Sequence, residues 1–283
     1  MNRRTTIASL AAWGLVGATG LSACGGAPPP SATARWLSLS PSLTETAFAI
    51  GAELVGRSTF CLLPPEAQAL PAAGTALTPD LEAIVSIGPS GILVEGAKSV
   101  PLDRLRKLAP VEVFPWLTKA EVVGSVRRLG ETLGRPKAAA ALAERFEKGL
   151  SGTAPKSAPR VVMALAGDDL GRGTLWYLQP DSLHGAALAA AGLRNAVPPV
   201  PGPPQMSLER LIELDPDVIV VLSAQSLDPA AATRMTDALR KIEPLKAVRD
   251  GRIGVVHGPG TLSTGPSILE LPARIAAAVK RAE

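Results

Sequence analysis

The sequence predicts an α/β protein: two related α/β lobes bridged by one long rigid α-helix, with a cleft between the lobes. Three observations predict it. Leu81–Pro89 and Leu208–Pro216 align without a gap, and they run on into the apolar stretches Ile92-Leu93-Val94 and Ile219-Val220-Val221. Each copy reads as a short amphipathic helix stopped just ahead of a proline, followed by a buried strand. A second echo lies upstream of each copy. Ser42-Leu43 opens a helix containing Ala47-Phe48-Ala49, and Ser182-Leu183 opens one containing Ala187-Leu188-Ala189. Finally, residues 118–150 form the longest helical pattern in the chain, with one interruption at Gly134-Arg135-Pro136. Good helix formers make such a bridge stiff, so the lobes are expected to open and close only slightly.

Taken in order, residues 1–23 read as an export leader. Arg3 and Arg4 precede an uncharged run from Ile7 to Ala23, short of the roughly 20 residues a spanning helix needs. The paired arginines also fit twin-arginine export. Leu21-Ser22-Ala23-Cys24 resembles the bacterial lipobox, whose cysteine takes a lipid and becomes the mature N-terminus. An exported protein held at the cell envelope through Cys24 is therefore expected, its acyl chains anchoring it by about 0.8 kcal/mol per buried CH₂. Residues 24–34, rich in Gly, Pro, Ala and Ser, read as a flexible tether. The first lobe is assigned to 35–117, the linker helices to 118–158 and the second lobe to 159–283.

Composition narrows the function. The formal charge of +4 includes Arg3 and Arg4, and without them 27 basic residues face 25 acidic ones. No basic run or aromatic-basic interleaving stands out, which excludes nucleic acid as an expected partner. The second cysteine, Cys61, reads as a small buried thiol.

From residue 35 onward the motifs resemble a family. Arg35 to Glu45 looks like the opening strand, turn and helix of helical-backbone substrate-binding proteins, which serve importers of cobalamin, ferric siderophores and haem. Cys61-Leu-Leu-Pro64-Pro65-Glu66-Ala67, Leu70-Pro71 with Gly74, and Pro79-Asp80-Leu81-Glu82 continue the resemblance. In the second lobe Ala191-Gly192-Leu193-Arg194-Asn195, Ser207-Leu208-Glu209 and Val248 to Ile253 extend it over nearly the whole mature chain. The similarity is greatest to the cobalamin-binding branch. It implies a binding lipoprotein, not an enzyme, expected as a monomer. It would capture a metal chelate and deliver it to an ABC permease dimer with its ATPase subunits. One glutamate per lobe would meet the permease, and by motif these are Glu82 and Glu209. Both hold equivalent repeat positions, as a two-fold partner requires; a first-turn glutamate also suits the helix dipole without any partner.

Loops at the carboxyl ends of parallel strands face the cleft in such an architecture. Candidates for ligand contact are Ser40 and Pro41, where Ser42 and Glu45 also read as a capping box, together with Trp116, Trp176 and Tyr177. Phe60 and Arg172 are further rim candidates. His184 and His257 are candidate axial ligands to a chelated metal. A bare metal ion is excluded, because two distant histidines without a CxxC pattern cannot supply three or four ligands. The ligand expected first is a corrinoid, with a ferric siderophore or haem as the alternative; no resident cofactor is expected. No catalytic motif is present, and the adjacent carboxylates Asp168-Asp169 read as solvated turn residues. An enzyme acting on a tetrapyrrole, or a lipoprotein without a transport role, are the remaining alternatives.

Overall fold

The computed structural model describes residues 34–96, 98–167 and 173–281. The leader, Cys24, nearly all of the tether, Asp168-Asp169 and Arg172 lie outside the described residues. Among the described residues no helix is long and apolar enough to cross a membrane.

The first lobe is built on a parallel sheet of order β2-β1-β3-β4, formed by Gly56–Arg57, Trp36–Ser38, Gly91–Glu95 and Val111–Phe114. The second carries a parallel sheet of order β10-β9-β5-β7, formed by Ile253–His257, Val218–Ser223, Arg160–Leu165 and Arg194–Asn195. A two-stranded antiparallel ribbon, β6 (Thr174–Trp176) with β8 (Gln205–Ser207), lies in the second lobe. The strands are apolar on both faces because helices cover both faces of a parallel sheet.

The repeat folds as read. Helix α2 (Leu81–Ile87) leads through Gly88–Ser90 into β3, and α7 (Leu208–Leu214) leads through Asp215–Asp217 into β9. Each helix ends on a left-handed residue, Gly88 at φ 60° and Asp215 at φ 37°. Each is followed by a proline that cannot continue it. The caps match too, since the Asp80 side chain accepts from Ala83 N and the Ser207 side chain from Arg210 N.

The bridge differs from expectation. In place of one rod there are two 14-residue helices, α4 (Lys119–Thr132) and α5 (Pro136–Gly149). Gly134 at φ 68° turns the chain, and Pro136 opens the second helix at its first position. The helices run antiparallel: Arg127 pairs with Glu147 at 3.2 Å, and Lys119 Nζ reaches the Leu150 carbonyl at 3.3 Å. A Cβ on Gly130 would lie 2.1 Å from that of Ala139, so only glycine permits this approach. Thr118 and Glu121 form a reciprocal capping box at the start of α4.

An apolar core packs around this hairpin and joins both lobes. One apolar cluster contains Leu43, Leu93 and Phe114 from the first lobe, and Val126, Leu129, Leu142 and Phe146 from the hairpin. It continues into Val161, Val220, Ile268 and Ile275 of the second lobe. Alternation along the strands sends the other residues outward. Ile92 and Val94 join Leu37 and Leu105 beneath α2 and α3 (Leu102–Arg106), while Val162, Ile219 and Val221 form a third cluster with Leu211 and Leu239. Each fully buried Leu or Phe contributes about 1.5–3 kcal/mol. Residues from 34 onward consequently cluster as one unit rather than two.

Candidate functional site

The cavity sits at the carboxyl ends of the strands, with walls from both lobes. Pro41 and Ser42 follow β1, Glu95 ends β3, Ala224 follows β9, and Pro259 to Thr264 follow β10. Phe60, Leu62, Leu63, Pro65 and Gln68 complete the wall on the first lobe. Its volume of about 580 Å³ falls within the range of small-molecule sites. Phe60 is 66% exposed and Leu62 57% exposed, an unusual display of apolar surface that continues the cavity outward.

At the start of α1 (Pro41–Ala49) the backbone carries Ser40 and Ser42 into this region, just after Ser38 ends β1. Ser40 and Ser42 both donate side-chain hydrogen bonds to Glu95 Oε2. Burial pushes the Glu95 carboxyl above the ordinary carboxylate range, partly offset by the Ser40 hydrogen bond. Ser38 Oγ bonds the Ser40 carbonyl at 3.0 Å and fixes the turn.

The expected capping box at Ser42 and Glu45 is not formed. Ser40 occupies the cap position without a side-chain bond, and Glu45, four residues into α1, is buried against the other lobe. Its carboxylate accepts from Ser263 Oγ at 2.6 Å and from both N and Oγ of Ser267 at 2.5 Å. Beside it, Trp116 Nε1 donates to the Thr264 carbonyl at 2.9 Å. These bonds fasten the loop after β10, which forms one cavity wall, to the first lobe. On its far side Arg274 donates to the His257 carbonyl at 2.7 Å and to Thr261 Oγ1 at 2.8 Å.

Among the residues expected at the cleft, Pro41 lines it and Ser40 lies directly behind, through its bond to Glu95. Phe60 stands at the rim. Trp116 is instead part of the shared core and a tie between lobes, and Tyr177 is buried in the outer cluster of the second lobe. Trp176 lies on the β6–β8 ribbon and is not among the described residues that line the cavity. His184, at the start of α6 (Leu183–Ala190), is buried; desolvation lowers its pKa to about 4, against a small opposing effect of the Thr261 backbone. Its Nε2 has no protein partner. His257 accepts from Leu227 N at 3.1 Å and faces a pocket with Arg274 and Arg281, and neither histidine is among the described residues that line the cavity. Cys61 is buried beside Thr44 Oγ1 at 3.0 Å, and burial raises its pKa. Among the described residues no cluster of His, Cys, Asp and Glu could hold a bare metal ion.

Glu82 and Glu209 are exposed in the first turns of α2 and α7. Both starts lie near the carboxyl ends of the strands. Gly74, bridged to Pro79, accepts from Thr59 next to Phe60, and Leu208 N donates to Gly173 O beyond the end of β5. Three residues after each glutamate stands an exposed apolar side chain, Val85 at 64% and Ile212 at 37%.

Sequence reasoning passed over Glu95, Glu45 as an inter-lobe ligand, and the loop from 259 to 264. The repeat held a signal for the first: Glu95 occupies the position that in the second copy is Leu222, fully buried. A charge ending an otherwise apolar parallel strand marks a site rather than a core.

The model of a family described as Periplasmic binding protein matches residues 37–253. A protein of Halobacterium salinarum named cobalamin-binding protein is 28% identical over 260 residues, covering 86% of this chain and 68% of its own. The vitamin B12-binding protein of Photorhabdus laumondii is 30% identical over 211 residues, covering 69% of this chain and 73% of its own. Among solved structures, the periplasmic haem-binding protein HutB of Vibrio cholerae superposes with a TM-score of 0.71 at 20% identity, covering 87% of this chain and 98% of that one.

Proposed function

The chain belongs to the periplasmic binding protein family, and we propose that it captures a corrinoid and delivers it to an ABC permease dimer driven by ATPase subunits. The observation that carries this reading is the cavity between the lobes. It is predominantly apolar, ringed by Phe60, Leu62, Leu63 and Leu262, and its described lining contains no Lys, Arg or His. A broad, nearly neutral macrocycle covers such a surface well, whereas anionic ferric chelates favour a cationic rim. The relatives named for cobalamin and vitamin B12 support the same cargo.

Haem or a ferric siderophore is the second reading, favoured by the shared fold of the haem-binding protein. The described cavity offers such an iron no histidine or tyrosine, since His184 and Tyr177 are buried elsewhere.

Delivery rests on Glu82 and Glu209. Their equivalent places in the repeat, each beside an apolar residue at the helix-mate position and near the carboxyl ends of the strands, suit a partner with two-fold symmetry and basic contact points. Export follows from the family. Anchoring through Cys24 is supported by the lipobox-like Leu21-Ser22-Ala23-Cys24 and would keep a monomeric receptor beside its permease.

Titration of the purified protein with cyanocobalamin, haemin and ferrioxamine B, read by Trp fluorescence, tests the cargo. Saturable binding of cyanocobalamin with weaker binding of the iron chelates is expected; tight haemin binding without cyanocobalamin binding would overturn it.

A further inference from the structure

Two carboxylates line the cavity, and their hydrogen bonding differs. Glu45 is fully engaged, one oxygen by Ser263 and the other by Ser267. Glu95 is engaged on one oxygen only, where the Ser40 and Ser42 hydroxyls both donate to Oε2. No residue among those described donates to Glu95 Oε1. Serine hydroxyls from the start of α1 therefore hold the carboxyl in one orientation while half of its acceptor capacity stays unused. The repeat shows that the fold does not require this residue, because the equivalent Leu222 packs into the shared core.

We propose that Glu95 is the specificity-determining group of this cavity: Oε1 accepts a hydrogen bond from an N–H or O–H donor on the cargo, selecting neutral or cationic chelates with amide or hydroxyl edges and rejecting those that present a carboxylate there. The inference rests on the chelate-binding reading and names the chemical class of the cargo. A partly desolvated carboxyl without a cation gains most from a donor supplied by the ligand, and a ligand carboxylate in the same place meets a like charge. Burial raises the Glu95 pKa against the opposing Ser40 hydrogen bond, so a donor from the cargo would offset a desolvation cost that the protein itself meets only in part. No described lysine, arginine or histidine lines the cavity, and Glu45 adds no donor of its own.

The experiment compares wild type, Glu95→Gln and Ser42→Ala for binding of cyanocobalamin and of its monocarboxylic derivative, in which one peripheral amide is hydrolysed, with a melting curve for each variant. Wild type is expected to prefer the amide form by about tenfold, the scale of one hydrogen bond to a charged group. Glu95→Gln should bring the two within about twofold, because a neutral amide does not repel the carboxylate. Ser42→Ala removes one of the two donors to Oε2 and leaves Ser40 and the charge in place. It should lower affinity for both forms alike while keeping their ratio. A ratio that collapses as in Glu95→Gln would assign the selection to the serine and overturn the proposal. Equal discrimination in wild type and Glu95→Gln overturns the proposal. If wild type binds no corrinoid, the corrinoid reading has failed, and the same variants are compared on cationic ferrioxamine B against anionic haemin. Selection for the cation that vanishes in Glu95→Gln then upholds the role of Glu95, and unchanged selectivity overturns it.

Discussion

The Glu45 carboxylate in the first lobe accepts hydrogen bonds from both the backbone N and the hydroxyl of Ser267 in the second, each at 2.5 Å. These residues are 222 positions apart in sequence, and their contact closes the molecule across the cavity. With Ser263 the carboxylate has three donors, so the loop after β10 is held in place from the opposite lobe. Glu45→Ala is expected to cost about 1–3 kcal/mol in chemical denaturation, since it leaves partly buried donors without their acceptor. Hydrogen exchange should rise selectively at residues 259–267, and an unchanged exchange profile there would show that the loop holds itself.

The helical hairpin supplies a paired test. Gly124→Ala in α4 meets nothing within 4 Å and should stabilise the protein by about 0.5–1 kcal/mol through helix propensity. Gly130→Ala places a methyl 2.1 Å from Ala139 Cβ and should destabilise it by about 1–3 kcal/mol. Thermal melts of the two variants should therefore move in opposite directions.

His184 makes stability depend on pH. Its folded pKa of about 4 lies below the ordinary 6.5, so the fold favours the neutral imidazole. That contribution is complete above the unfolded pKa and is lost as pH falls toward the folded one. Between about pH 7 and about pH 5 the loss should approach 2 kcal/mol. His184→Gln should flatten this part of the melting-temperature profile, and an equally steep profile in the variant would assign the loss to other groups.

Docking through Glu82 and Glu209 predicts a separation of binding from transport. Charge reversal at both, Glu82→Lys with Glu209→Lys, should lower cellular uptake of the cargo by more than about tenfold while leaving its affinity within about twofold. Val85→Ser with Ile212→Ser should weaken uptake less, because it removes contact area without adding repulsion. Uptake at the wild-type rate in the charge-reversed protein would dismiss both helices as the docking points.

The architecture was legible because the repeat is written in side-chain periodicity. Leu81 to Val94 and Leu208 to Val221 each specify helix, left-handed cap, proline and strand by local chemistry alone. The site was less legible because its decisive contacts are long-range. Ser42 and Glu45 have the spacing of a capping box, yet the Glu45 carboxylate finds better donors in Ser263 and Ser267, which sequence distance hides. Trp116 misled for a related reason. Large rings suit a macrocycle and a core equally, and Trp116 is settled in the core by its bond to the Thr264 carbonyl. The bridge was misread as one rod because Gly134 and Pro136 resemble a kink, whereas the bare face of Gly130 lets α5 fold back along α4.

The shared apolar cluster around Phe146 has a consequence for signalling. Prying the halves apart would expose the middle of the molecule to water, so filled and empty receptors should present nearly the same outline. On the transport reading, loading would then be sensed at the mouth, where Phe60 and Leu62 are exposed.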